Sequence, residues 1–230
     1  MADQRFRIVE VIYQGMTQLD FTAPHTVFSR IPNSETIVAS LGGGAVGADG
    51  GLTFAGTTPI AEVDRCDLLF FPGGVSATEV ASDAAFMGEA KRLASGARYL
   101  TSVCTGSLIL AATGLLKGRR AACHWAWRDM LSLFDVIPDP ARVVRDGDII
   151  TAGGVTSGID FALVVAAELA GETFAQALQL NLEYAPAPPF NAGRPETAPP
   201  EILALVMKRM DAILPERLSQ ARVAAARARG

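Results

Sequence analysis

One cysteine stands where chain geometry can make it reactive. In the stretch RYLTSVCTGSLILAATGLL an apolar run ends at Val103, and a helical pattern of small and aliphatic residues begins near Thr105. The segment Ser102-Val103-Cys104-Thr105-Gly106 imitates the G-x-S-x-G nucleophile elbow, with cysteine for serine and Ser102 in the first glycine position. The unpaired N–H groups and dipole of the following helix favour negative charge there, which predicts a lowered Cys104 pKa and a thiolate at neutral pH. Such a nucleophile needs neither metal nor cofactor. Most buried cysteines are merely small hydrophobes, and Cys66, between Asp64 and Asp67, and Cys123, in AACHW, are read that way.

A thiolate adding to an electrophile needs a proton donor, and the first strand-to-helix loop, TQLDFTAP, offers Asp20. Aspartate is also a preferred helix N-cap, and spacing alone leaves the cap and the acid/base role both open. FFPGG ends a strand in a diglycine turn, where the Gly73 and Gly74 N–H groups would stabilise negative charge, although glycine turns also arise for conformational reasons alone. His124 could assist the thiol as a base and is kept with Gly73 and Gly74 as a candidate substrate-binding residue, although a histidine at a helix entry is more often a polar surface or cap residue. GGGAVG (42–47) matches G-x-G-x-x-G, yet Gly47, Gly50 and Gly51 leave no helix to follow it. It is read as a loop or hairpin, and no dinucleotide is expected.

The elements that must position these residues follow from apolar runs at 6–13, 35–41, 67–71, 98–103 and 148–152, most of them separated by helical patterns. Helices are expected at 21–29, 82–94, 105–115, 125–133, 157–170 and 173–184. Runs such as LLFF and IVAS are apolar on both faces, as in a parallel sheet covered on each side by helices. In an open sheet of this kind Asp20, the diglycine turn and Cys104 share the carboxyl-end rim. The proline-rich segment 185–200 suits neither a helix interior nor a central strand and is expected to run extended over the surface. Beyond it Ile202, Leu205, Val206, Met210 and Ile213 share one face of a helical arm, which either packs on its own domain or makes a dimer contact. The division expected is a catalytic domain over 1–198 and this arm over 199–230.

Half of the 230 residues are hydrophobic and 19% are charged, enough for one sizeable core. A net charge of −4 gives no general attraction to nucleic acid. Three widely spaced cysteines and two histidines argue against a disulfide framework or structural zinc. No apolar run approaches the ~20 residues of a membrane helix, and the N-terminus lacks a signal-peptide core. A soluble cytoplasmic protein is expected.

These motifs, read together, identify a resemblance. QLDFTAPH, FPGG, YLTSVCTGSLILAATGLLKG, HWAWRD, RVVRDGDIITAGGVTSGIDFAL and LEYAPAPPFNAG resemble the ThiJ/PfpI branch of the class I glutamine amidotransferase-like superfamily, and within it the isonitrile hydratases. The resemblance implies a flavodoxin-like three-layer α/β sandwich with a mostly parallel central sheet, a homodimer, and hydration of an isonitrile by water to an N-substituted formamide without a cofactor. It also implies catalytic roles for Cys104, Asp20 and Thr105, with Gly73 and Gly74 supplying further donors. Cys-Thr at the elbow and aspartate in the first loop depart from the protease-like and glyoxalase-like branches. A glyoxalase or deglycase activity, a cysteine redox sensor and the ligand-sensing half of an AraC-type regulator are the alternatives. Such regulators run on for about 100 residues of helix-turn-helix units, whereas this sequence stops at Gly230.

Overall fold

The computed structural model describes residues 5–229. Its elements in chain order are β1 (Phe6–Val11), α1 (Gln18–Phe28), β2 (Ser34–Ser40), β3 (Gly44–Gly47), β4 (Thr53–Pro59), β5 (Leu68–Phe71), α2 (Ala77–Val80), α3 (Ala84–Gly96), β6 (Tyr99–Val103), α4 (Gly106–Ala112), β7 (Arg120–Ala121), β8 (Ile137–Pro138), β9 (Val143–Asp146), β10 (Ile149–Ala152), α5 (Ser157–Ala170), α6 (Glu172–Asn181), α7 (Pro200–Met210) and α8 (Leu214–Arg229).

The apolar runs become strands buried on both faces. Side chains alternate across a strand, so Ile8, Leu68, Phe70, Val103 and Ile150 enter one core while Val9, Val11, Leu69, Phe71 and Ile149 enter the other. Helices α1, α5 and α6 cover the first core, in which Phe28, Phe70 and Phe161 pack with ring centroids 5.7–5.9 Å apart. The second lies under α3, α4 and α8. The result is the expected three-layer α/β sandwich.

The eight strands of the sheet lie in the order β3-β4-β2-β1-β5-β6-β10-β9. All neighbours are parallel except the two edges, where β3 runs antiparallel to β4 and β9 to β10. GGGAVG therefore opens a hairpin, as read from its glycines. The chain leaves β1 toward β2 on one side and returns to β5 on the other, so strand order reverses between β1 and β5. That is where an open α/β sheet gathers its ligand-binding residues.

Two helices differ from expectation. Helix α1 begins at Gln18 rather than 21, which places Asp20 inside its first turn. The segment expected as a helix at 125–133 is a chain of turns ending in a 3-10 helix at Arg128–Phe134, tightened by bonds such as Trp127 N–H to His124 C=O and Met130 N–H to Trp127 C=O. Trp127, Met130, Leu131 and Phe134 are still buried at helical spacing, so the apolar pattern holds while the hydrogen bonding tightens. The proline-rich segment is irregular and mostly exposed. In the arm, α8 buries Ala221, Ala224 and Ala225 against the core, whereas α7 buries none of its described residues. Among the described residues no helix is long and apolar enough to cross a membrane.

Candidate active site

The elbow forms because β6 must turn directly into α4 above a crowded strand end. Cys104 sits at the apex with φ of +58°, a left-handed conformation that costs a non-glycine residue energy. Its N–H reaches the carbonyls of Ala152 and Gly153 at 3.0 and 2.8 Å, which ties the apex to the end of β10. The neighbours fit for steric reasons. A Cβ on Gly106 would lie 2.2 Å from the Phe71 carbonyl oxygen, so only glycine lets α4 start this close to β5. Ser102 uses its hydroxyl where the motif usually has glycine, bonding Ser107 at 2.9 Å, and Ser107 in turn donates to the Ala122 carbonyl.

Asp20 comes from the other side of the switch point. Thr17 is the N-cap residue of α1, and Asp20, three positions on, turns its carboxylate away from its own helix. The cap reading left open by the sequence is thereby removed. Oδ2 accepts the Gly73 N–H at 3.0 Å, while Oδ1 is buried with no hydrogen-bond partner among the described residues. Helix α1 is held in this orientation by the fully buried Glu10 of β1, which meets Nδ1 of His25 at 2.5 Å, and by Gly158, whose lack of a Cβ lets α5 press on Pro24.

The diglycine turn joins the two. A Cβ on Gly73 would fall 2.6 Å from Asp20 Oδ2, 2.6 Å from the Thr105 nitrogen and 2.7 Å from the Cys104 Cβ, so this glycine leaves the space in which acid and thiol face each other. The donors expected to be free at this turn are engaged within the protein. Gly73 N–H holds Asp20, and Gly74 N–H donates to Thr105 Oγ1 at 2.8 Å, the same hydroxyl donating to the Gly74 carbonyl at 2.9 Å. The turn therefore orients the acid and the elbow.

Electrostatics correct one expectation. Cys104 is not a preformed thiolate: burial, then the Asp20 charge and the nearby Cys123, push its thiol well above the ordinary range, and the Thr105 backbone N–H only partly opposes this. Helix α4 is just seven residues long, and the dipole of so short a helix is outweighed by desolvation. Burial also raises Asp20 to about 7, against the lowering effects of Cys104 and the Gly73 N–H. Two acidic groups in one dry site hold a single negative charge between them near neutrality.

Cys104, Asp20, Thr105, Gly73 and Gly74 are thus brought together, all buried. His124 bonds within its own loop, its Nδ1 accepting the Ala126 N–H at 3.2 Å and its ring stacking on Trp125, and the other edge of the ring faces Gly154, beside the Gly153 carbonyl that holds the Cys104 N–H. Sequence reasoning missed Tyr13, whose hydroxyl donates to the Pro72 carbonyl at 3.0 Å behind the site. A tyrosine at the end of an apolar run gives no signal beyond core packing. A cavity of about 890 Å³ opens beside α1 and α5, lined by Leu19, Ala23, Thr156, Ile159, Tyr184 and Phe190 among others.

Comparison with known proteins shows the family. The chain is 42% identical over 199 residues to the isonitrile hydratase of Pseudomonas putida, covering 86% of this chain and 87% of that one. It is 26% identical to protein dj-1beta of Drosophila melanogaster over 75% of this chain and 94% of the relative. Among solved structures, a ThiJ/PfpI family protein from Pseudomonas syringae superposes with a TM-score of 0.90 at 38% identity, over 96% of this chain and 90% of that one. The sequence profile of the DJ-1/PfpI family matches residues 6–168, the span that carries β1, the diglycine turn, the elbow and most of α5, and the chain belongs to that family.

Proposed function

We propose that this protein is a cytoplasmic isonitrile hydratase, converting an isonitrile R–N≡C and water to the formamide R–NH–CHO. The observation that carries the reading is the pairing of Cys104 with a carboxyl raised to about 7 in a buried site. The similarity to a named isonitrile hydratase supports the substrate class.

The terminal carbon of an isonitrile must gain both a nucleophile and a proton. Cys104 adds through sulfur as its proton passes to the Asp20 carboxylate, and Asp20 delivers that proton to the same carbon. A C–S and a C–H bond form, giving the thioimidate R–N=CH–S–Cys104. Asp20, again ionised, takes a proton from water as the water oxygen attacks this carbon, and passes that proton to the nitrogen. Collapse of the tetrahedral adduct breaks the C–S bond and releases the formamide, and the adduct's hydroxyl proton passes through Asp20 to the departing sulfur, restoring the thiol. Thr105 fixes the elbow on the diglycine turn. The active form is a homodimer.

Incubating the purified protein with an aromatic and a cyclic aliphatic isonitrile tests the reading by mass spectrometry. Formamide is expected from at least one. Turnover of methylglyoxal with no formamide from either would favour the glyoxalase-like alternative.

A further inference from the structure

Behind the carboxylate lies a second buried hydroxyl that the mechanism does not use. Tyr13 follows the end of β1, is 5% exposed, and packs edge-on against Phe86 of α3 with ring centroids 6.2 Å apart. Its hydroxyl donates to the Pro72 carbonyl at 3.0 Å. The Gly73 N–H that holds Asp20 Oδ2 at 3.0 Å belongs to the same peptide unit as that carbonyl. A trans peptide points its C=O and N–H in opposite directions. One planar group is therefore gripped by Tyr13 at one end and grips Asp20 at the other.

We propose that Tyr13 is a positioning residue for the reaction: by hydrogen-bonding the Pro72–Gly73 peptide it fixes that peptide's orientation and strengthens its N–H as a donor to the Asp20 carboxylate. Hydrogen bonds in series polarise one another, by roughly 10–30% per bond. Glycine at position 73 makes the grip necessary, because a residue without a side chain next to a turn has few other restraints on its peptide plane. Gly73 adds one anchor of its own, its carbonyl accepting the Thr17 N–H at 2.9 Å at the cap of α1. Tyr13 is suited to be a permanent donor, since burial and then the negative charge shared by the Asp20–Cys104 pair keep its phenol protonated. The proposal rests on the acid–base role given to Asp20 above, but its test does not.

Tyr13→Phe removes the hydroxyl and keeps the ring. The readout is carbon-13 NMR of protein labelled at the aspartate side-chain carboxyls, with the Asp20 resonance assigned by its loss in Asp20→Asn. A weaker Gly73 donor stabilises the carboxylate less, so the Asp20 titration should move upward in Tyr13→Phe by about half to one pH unit. The pH at which hydration is half-maximal should move with it. An unchanged Asp20 titration overturns the proposal, even if the melting temperature falls, because a merely structural tyrosine would change stability alone. Should Tyr13→Phe fail to fold, 3-fluorotyrosine placed at position 13 keeps the shape and strengthens the donor. It should move the Asp20 titration downward, and no movement would equally overturn the proposal. If the wild type forms no formamide, the function proposed above fails while the titration still decides the role of Tyr13.

Discussion

Cys104 and Asp20 are costly residues for a folded chain to keep, one in a left-handed conformation and the other with a buried oxygen that lacks a partner among the described residues. The cost of Asp20 can be given a sign. Its pKa is raised from 3.8 to about 7, so between those values the native state binds more protons than the unfolded one. Stability therefore falls as pH rises through that window, by on the order of 4 kcal/mol for a shift of about three units. Asp20→Asn should abolish this slope, so its melting temperature should overtake that of the wild type above pH 7 and not at pH 4. Thermal melts at the two pH values check it, and a wild-type-like pH dependence in the variant would show that Asp20 is not the titrating group. Activity should rise with pH through about 7 as Asp20 ionises, and stay high until the thiol itself ionises. In Asp20→Asn the rate should drop by about 10²–10⁴-fold and lose this limb, since an amide cannot shuttle the proton.

At the scale of elements, the site depends on how closely α4 approaches the end of β5. Gly106→Ala would put a Cβ 2.2 Å from a backbone oxygen that has little freedom to move. It should cost about 1–3 kcal/mol or more and lower hydration as the elbow shifts, which denaturant melts and rate measurements together would show. A fully stable Gly106→Ala would mean that the elbow has slack. The core strands and the elbow were legible in the sequence because each is a local pattern: apolar runs for β1, β5, β6 and β10, and Cys between small residues for the turn. Strand β4 and edge strand β9 were not, since TFAGTTP and VVRD are half polar and carry no apolar run to mark them, although each pairs with a neighbour close in sequence. The carboxylate's partner was also hidden. Whether Asp20 caps its helix or faces Cys104 depends on whether α1 starts at residue 18 or 21, and no propensity separates those. The thiolate expected from the helix dipole was outweighed by burial, a property of the assembled layers. Tyr13 gave no signal for the same reason: its role exists only once β1 and the diglycine turn are side by side.

Over the whole molecule, apolar side chains remain uncovered on the single chain, among them Leu180 and Phe190 at 82% and 80% exposure and Ile202 and Leu205 on α7. A homodimer would cover surface of this kind, and light scattering at micromolar concentration should return twice the mass of one chain; a single-chain mass would contradict it. The three-layer sandwich matters to the reaction because it brings the ends of β1, β5 and β6 to one rim. Only there do an acid, a peptide turn and a thiol from distant parts of the chain meet out of water. The measurement that tests this account most directly follows formamide production from an isonitrile in ¹⁸O-labelled water, using the wild type, Cys104→Ala and Asp20→Asn under one set of conditions. The account predicts labelled formamide from the wild type and a covalent adduct on Cys104 in quenched samples, with neither from Cys104→Ala. Formamide from Cys104→Ala at the wild-type rate, or none from the wild type with either class of isonitrile, would contradict it.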